Sequence, residues 1–188
     1  ILVEADDIGQ ISPQDWVMIE TSKRTSSGLK THQEIAQVLD IGGDGANIVT
    51  LNRRLRRVYE SDYYARMTVL DPARRAIVSG AGVTFTEAPE AGVRIPTFNI
   101  NLAIDSYMQD CFVPNEDLFG SRGQMFLVRN SYGCGYVRPV GRNPKFLTGG
   151  EGYGVVCEYS TSCFSTDPVL SGTRHAVLHL GATECFSD

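Results

Sequence analysis

Four stretches decide how this chain is read: Leu102-Ala-Ile-Asp-Ser-Tyr-Met-Gln-Asp-Cys111-Phe112, Met125-Phe-Leu-Val-Arg-Asn-Ser-Tyr-Gly-Cys134-Gly135, Gly154-Val-Val-Cys-Glu-Tyr-Ser-Thr-Ser-Cys163-Phe164 and Ala176-Val-Leu-His-Leu-Gly-Ala-Thr-Glu-Cys185-Phe186. Aligned on Cys111, Cys134, Cys163 and Cys185, they recur at intervals of 23, 29 and 22 residues. Seven places before each cysteine stand Ile104, Leu127, Val156 and Leu178, and one place earlier Ala103, Phe126, Val155 and Val177. Three places before it stand Met108, Ser131, Ser160 and Ala182, mostly small. A weaker copy, Thr68 to Gly82, puts Ile77 in the cysteine place.

A repeat of this length is one structural unit that cannot bury its apolar side alone, so the units must stack. Stripes at helical spacing are absent, and Gly, Ser, Thr and β-branched residues fill the units, which argues for strands. Parallel stacking at roughly 4.8 Å pairs the backbones and lines up equivalent side chains. We therefore expect an all-β chain: a right-handed parallel β-helix of about five coils over residues 63–188, cut off at its C-terminal end near Phe186–Asp188. Antiparallel sandwiches give equivalent residues no reason to recur in register. The cysteines and Ile104, Leu127, Val156 and Leu178 are then expected to form stacked rows. A disulfide needs Cβ atoms about 3.8 Å apart, closer than neighbouring rungs stand, so free thiols are expected. The segment Arg138 to Gly152 lengthens one interval and reads as a surface excursion.

Residues 1–62 have a different pattern and read as a small β-rich leading module with a hairpin. Trp16-Val-Met-Ile19 follows a turn, and Gln33 to Ile41 faces Asn47 to Leu55 across Gly42-Gly-Asp-Gly45. The chain opens on Ile1 without a charged and apolar leader, and we expect it to be a segment of a longer protein. The formal net charge is −5 with a pI near 5.2, which gives no footprint for nucleic acid. Arg53-Arg54 and Arg56-Arg57 read as a solvated strand edge or turn. No apolar run is long enough to insert in a membrane. The five cysteines include no Cys-x-x-Cys pair, which disfavours a zinc ribbon.

The succession Asp15-Trp16-Val-Met-Ile19, a polar loop, Glu34-Ile-Ala-Gln-Val38, a glycine-rich turn, Ile48-Val-Thr-Leu51 to Leu55 and Tyr59, leading into coils, resembles the opening region of pectate-lyase-like β-helices. Such β-helices are common in bacteriophage tailspikes and tail appendages. The resemblance implies a homotrimeric, virion-attached protein that contacts other tail proteins and binds bacterial surface polysaccharide. It also leaves open a polysaccharide lyase or glycoside hydrolase, and a secreted or cell-surface bacterial adhesin.

Depolymerase chemistry needs carboxylates facing each other across a groove, about 5 Å apart for retention or 6.5–9.5 Å for inversion. Glu158, Asp110 and Glu151 are the candidates, though none makes a close pair on adjacent rungs, and we lean against catalysis in this segment. Glu158 is expected to share an outward column with Ser106 and Arg129. For glycan contact the candidates are Tyr132, Tyr136 and Arg129, because sugar faces stack on aromatic rings. His175 and His179 lack converging partners, so neither a metal nor a cofactor is expected.

Overall fold

The structure is a computed structural model that describes residues 9–24, 31–42, 48–57, 59, 64–83, 96–113, 123–142, 144 and 152–188. Among these the chain is all-β, with no helix. It divides into two units, residues 1–72 and 73–188.

The first unit is an antiparallel four-stranded sheet in the order Val49–Leu51, Thr31–Ile41, Trp16–Arg24, Arg66–Leu70. Alternation along the strands buries Val17, Ile19, Ala36 and Val38 in one cluster with Ile11 and Val49. The module boundary drawn after residue 62 moves: Arg66–Leu70 pairs antiparallel with Trp16–Glu20 and so closes this sheet. Thr68 to Leu70 therefore cannot begin a coil. Adjacent apolar residues such as Val69 and Leu70 fit either partner, and only the pairing decides between them.

Among the described residues from Ala73 onward every strand pairing is parallel. One sheet stacks Phe98–Asn101, Gln124–Arg129, Tyr153–Glu158 and His175–Leu180. A second stacks Ile77–Ser79, Tyr107–Gln109, Gly135–Val137, Phe164–Thr166 and Phe186–Ser187, one strand from each successive turn of chain. A third stacks Phe112–Val113, Val140–Arg142 and Val169–Ser171. Between them run the inward rows Phe98, Phe126, Val155 and Ile100, Val128, Cys157, which form the core with Val113, Met125 and Tyr136. The Phe98 and Phe126 rings stack at 5.5 Å. This is the arrangement of a parallel β-helix.

What bends each coil is a left-handed residue at each corner. Leu102, Asn130, Tyr159 and Gly181 form one corner column; Arg75, Asp105, Gly133, Ser162 and Glu184 a second; Gly80, Asp110, Arg138 and Asp167 a third. All have φ between 48° and 67°. Directly after each comes an alanine, serine or cysteine, or a proline after Arg138 and Asp167, and the serines and cysteines share one bonding pattern. The side-chain Oγ or Sγ donates to the carbonyl two residues back: Ser106 to Ile104 at 2.9 Å, Ser131 to Arg129 at 2.7 Å, Cys134 to Tyr132 at 3.3 Å and Cys163 to Thr161 at 3.4 Å. The same atom accepts the N–H of the equivalent residue in the preceding coil, as Ser106 does from Ala76 at 3.0 Å and Cys134 from Ser106 at 3.4 Å. Backbone groups that the bend takes out of the strand ladders are satisfied this way.

This pattern corrects the alignment. The true column is Ala76, Ser106, Cys134, Cys163 and Cys185. Cys111 sits at the third corner, after Asp110, donating to Gln109 at 3.5 Å. Ile77 accordingly pairs with Tyr107, one place past the cysteine column. Leu127, Val156 and Leu178 do stack, but their fourth member is Asn99, while Ile104 bridges to Tyr132. A hydroxyl does the work of a thiol at Ser106, so matching by residue type slipped the first coil by one corner. All five cysteines are free. Burial pushes Cys134 up to about 11.

Candidate functional site

The third corner column carries the most chemistry on the surface of this unit. Asp110, Arg138 and Asp167 follow one another on three successive rungs, about 4.8 Å apart. Two places further along each rung come Phe112, Val140 and Val169, also in register. These six residues line an open cavity of about 510 Å³. A left-handed corner turns its side chain out of the core, which is why three charged residues can occupy a column of a tightly packed stack.

Arg138 grips Asp110 with two parallel bonds, Nε to Oδ1 at 2.7 Å and Nη2 to Oδ2 at 2.8 Å. The guanidinium holds the Asp110 carboxyl below its ordinary range, and the carboxylate raises Arg138 in return, with Asp167 adding to that. Phe112 lies over Gly82, where a Cβ would fall 2.1 Å from the ring. Phe112 and Val169 remain 46 % and 52 % exposed. The arrangement offers a ladder of charged hydrogen-bonding groups beside a ladder of apolar ones, repeating every rung.

The residues singled out from sequence fare differently. Asp110 belongs to this groove. Glu158 lies in the first sheet and is 3 % exposed, paired with Arg129 through its Nε at 2.8 Å and through its Nη2. Its column is Asn101, Arg129, Glu158 and Leu180; Ser106 is not part of it. Arg129 is thus occupied by a carboxylate. Tyr136 is corrected outright: it is fully buried, its ring edge-on to Phe126 at 5.1 Å, with its hydroxyl 2.9 Å from the Leu127 carbonyl and 3.0 Å from that of Phe98. Burial raises its pKa well above the ordinary value. No sugar can reach it. Tyr132 sits half-buried at a bridge between Ile104 and Thr161, away from the groove. Glu151 lies outside the described residues. Arg138, Asp167 and Phe112 were missed, because only the coil register puts them beside Asp110.

No protein-family model matches the chain, and no curated protein matches it. In three dimensions the chain defines a tailspike-like fold. It superposes on the crystal structure of the Pseudomonas phage phi297 tailspike gp61 with a TM-score of 0.71 and 15 % sequence identity. The match covers 92 % of this chain and 27 % of the tailspike, so the chain spans about a quarter of its length.

Proposed function

We propose that this chain is the receptor-binding segment of a phage tailspike or related tail appendage, and that the corner groove at Asp110, Arg138 and Asp167 contacts bacterial surface polysaccharide. The supporting observation is the paired ladder: charged donors and acceptors beside Phe112, Val140 and Val169, repeating at a spacing close to that of a sugar chain's own repeat. A stack of hydrogen-bonded coils keeps that surface preorganised, so little ordering opposes binding. In this reading the protein is a homotrimer carried on the virion with other tail proteins. The fold likeness motivates that assembly.

Cleavage is the second reading. Asp110 and Asp167 stand two rungs apart, roughly 10 Å by rung spacing, at the edge of the separation for inverting hydrolysis. A general acid needs a raised pKa, whereas Arg138 depresses that of Asp110. The groove is therefore better suited to holding a glycan than to cutting it.

Incubating the chain with capsule and O-antigen preparations, and measuring binding and new reducing ends together, tests both. Binding that falls at least ten-fold in Arg138→Ala, without reducing ends, is the expected result. Undiminished binding in that variant removes the groove, and release of reducing ends by the wild type restores the enzyme.

A further inference from the structure

The groove of the third corner column carries a charge pattern that restricts its occupant. Its lining holds two carboxylates, Asp110 and Asp167, and one guanidinium, Arg138. Arg138 donates to both oxygens of Asp110, at 2.7 Å and 2.8 Å, so its positive charge is matched inside the protein. Asp167 stands one rung beyond Arg138 and is exposed. Its carboxylate makes no hydrogen bond or salt bridge among the described residues. The lining thus carries one unmatched negative charge. Arg142, two places past Val140 on the same strand, is not among the lining residues.

The two walls of the groove ask for different edges of one ligand. Carboxylate oxygens only accept, so the edge that meets Asp110 and Asp167 must donate. Arg138 still has three of its five N–H donors for a ligand acceptor. A sugar hydroxyl donates and accepts at once, whereas a carboxylate or phosphate oxygen only accepts. An anionic group placed at Arg138 would lie between two carboxylates, each one rung or about 4.8 Å away, and both would repel it. The other wall is the ladder of Phe112, Val140 and Val169, in register on successive rungs, with Phe112 and Val169 about half exposed. Such a strip favours a face of C–H bonds, as a deoxy or acetyl methyl group provides.

We propose that the groove takes an uncharged saccharide, with a hydroxyl edge on Asp110, Arg138 and Asp167 and a methyl-bearing edge on Phe112, Val140 and Val169, and discriminates against uronate-bearing chains. This names the substrate class for the polysaccharide reading above and rests on it. Discrimination comes from the misplaced like charge more than from any added contact. An amino sugar is the competing class, because its ammonium would find Asp167; Arg138, one rung away, opposes it.

The test uses bacterial polysaccharides that contain uronate together with 6-deoxy or N-acetyl sugars. Each is measured before and after its carboxylates are reduced to hydroxymethyl groups, with binding to the whole chain followed by biolayer interferometry. The reduced form should bind at least five-fold tighter. Asp167→Asn removes the unmatched charge and should bring the two forms within two-fold of each other. Val169→Thr keeps a β-branched residue at an exposed place, and should weaken the reduced form at least three-fold while leaving that ratio unchanged. A uronate form that binds as tightly or more tightly, or a ratio unmoved by Asp167→Asn, overturns the uncharged class. Unchanged binding in Val169→Thr overturns the methyl-bearing edge. Chitosan oligosaccharides binding more tightly than their N-acetylated forms overturn the class in favour of a cation. If neither form binds, or binding ignores Arg138→Ala, the groove reading itself fails. A uronate preference that Arg138→Ala abolishes keeps the groove and overturns only the class named here.

Discussion

Replacing Cys134 by serine should disturb the protein less than replacing it by alanine, although alanine is the more apolar residue and the site is fully buried. The thiol donates to the Tyr132 carbonyl at 3.3 Å and accepts the Ser106 N–H at 3.4 Å. Alanine leaves that buried N–H without this acceptor, a penalty of about 1–3 kcal/mol. It also removes the sulfur's contacts, worth roughly another 1 kcal/mol with the void it leaves. The total for Cys134→Ala is about 2–4 kcal/mol. Serine keeps a donor and an acceptor in the same place, as Ser106 does one coil earlier, and loses only sulfur burial, about 1 kcal/mol. Urea unfolding followed by circular dichroism measures both variants, compared by midpoint at constant m. Alanine equal to or more stable than serine at unchanged m would refute the claim that hydrogen bonding favours the thiol or hydroxyl at this corner position.

Other outcomes follow from the same geometry. Gly135→Ala places a Cβ 2.1 Å from the Phe164 carbonyl oxygen, and overpacking of this kind costs about 1–3 kcal/mol, readable as a lowered urea midpoint. Leu102→Asn keeps the left-handed corner (φ 53°) with a residue that tolerates it, so the midpoint should rise by an amount equivalent to roughly 0.5–1 kcal/mol. Because Cys134 titrates higher in the fold than its ordinary value of 9.0, its contribution is complete below that pH and is lost as pH rises toward about 11; stability measured across that window should fall, less steeply in Cys134→Ser. Asp110 has the opposite sign, since its depressed pKa stabilises above its ordinary value of 3.8 and that contribution disappears as pH falls further. An acid titration of Arg138→Met should show a weaker acid dependence than the wild type.

The all-β, coiled character was legible because stacking forces chemically similar residues to recur, and Leu127, Val156 and Leu178 or Cys134, Cys163 and Cys185 recur visibly. The first coil was misread for a physical reason. The corner pattern accepts a small serine or cysteine that both donates and accepts, and such residues recur at more than one corner of a coil. Cys111 satisfies it at the third corner and Ser106 at the second, so a search by residue type aligned the wrong pair. Tyr136 looked like a surface aromatic because alternation alone does not say which face of a short strand is the inner one.

The chain's own order of residues thus determined that its back half would be stacked strands with small residues at the bends, since local chemistry and periodicity are written along the chain. Which strand Arg66–Leu70 would join, which rows share a column, and that Asp110 would meet Arg138 and Glu34 would hold the Arg56–Arg57 backbone were decided only in three dimensions. Those contacts join residues more than twenty positions apart, and their register depends on the lengths of the intervening loops, which no repeat constrains.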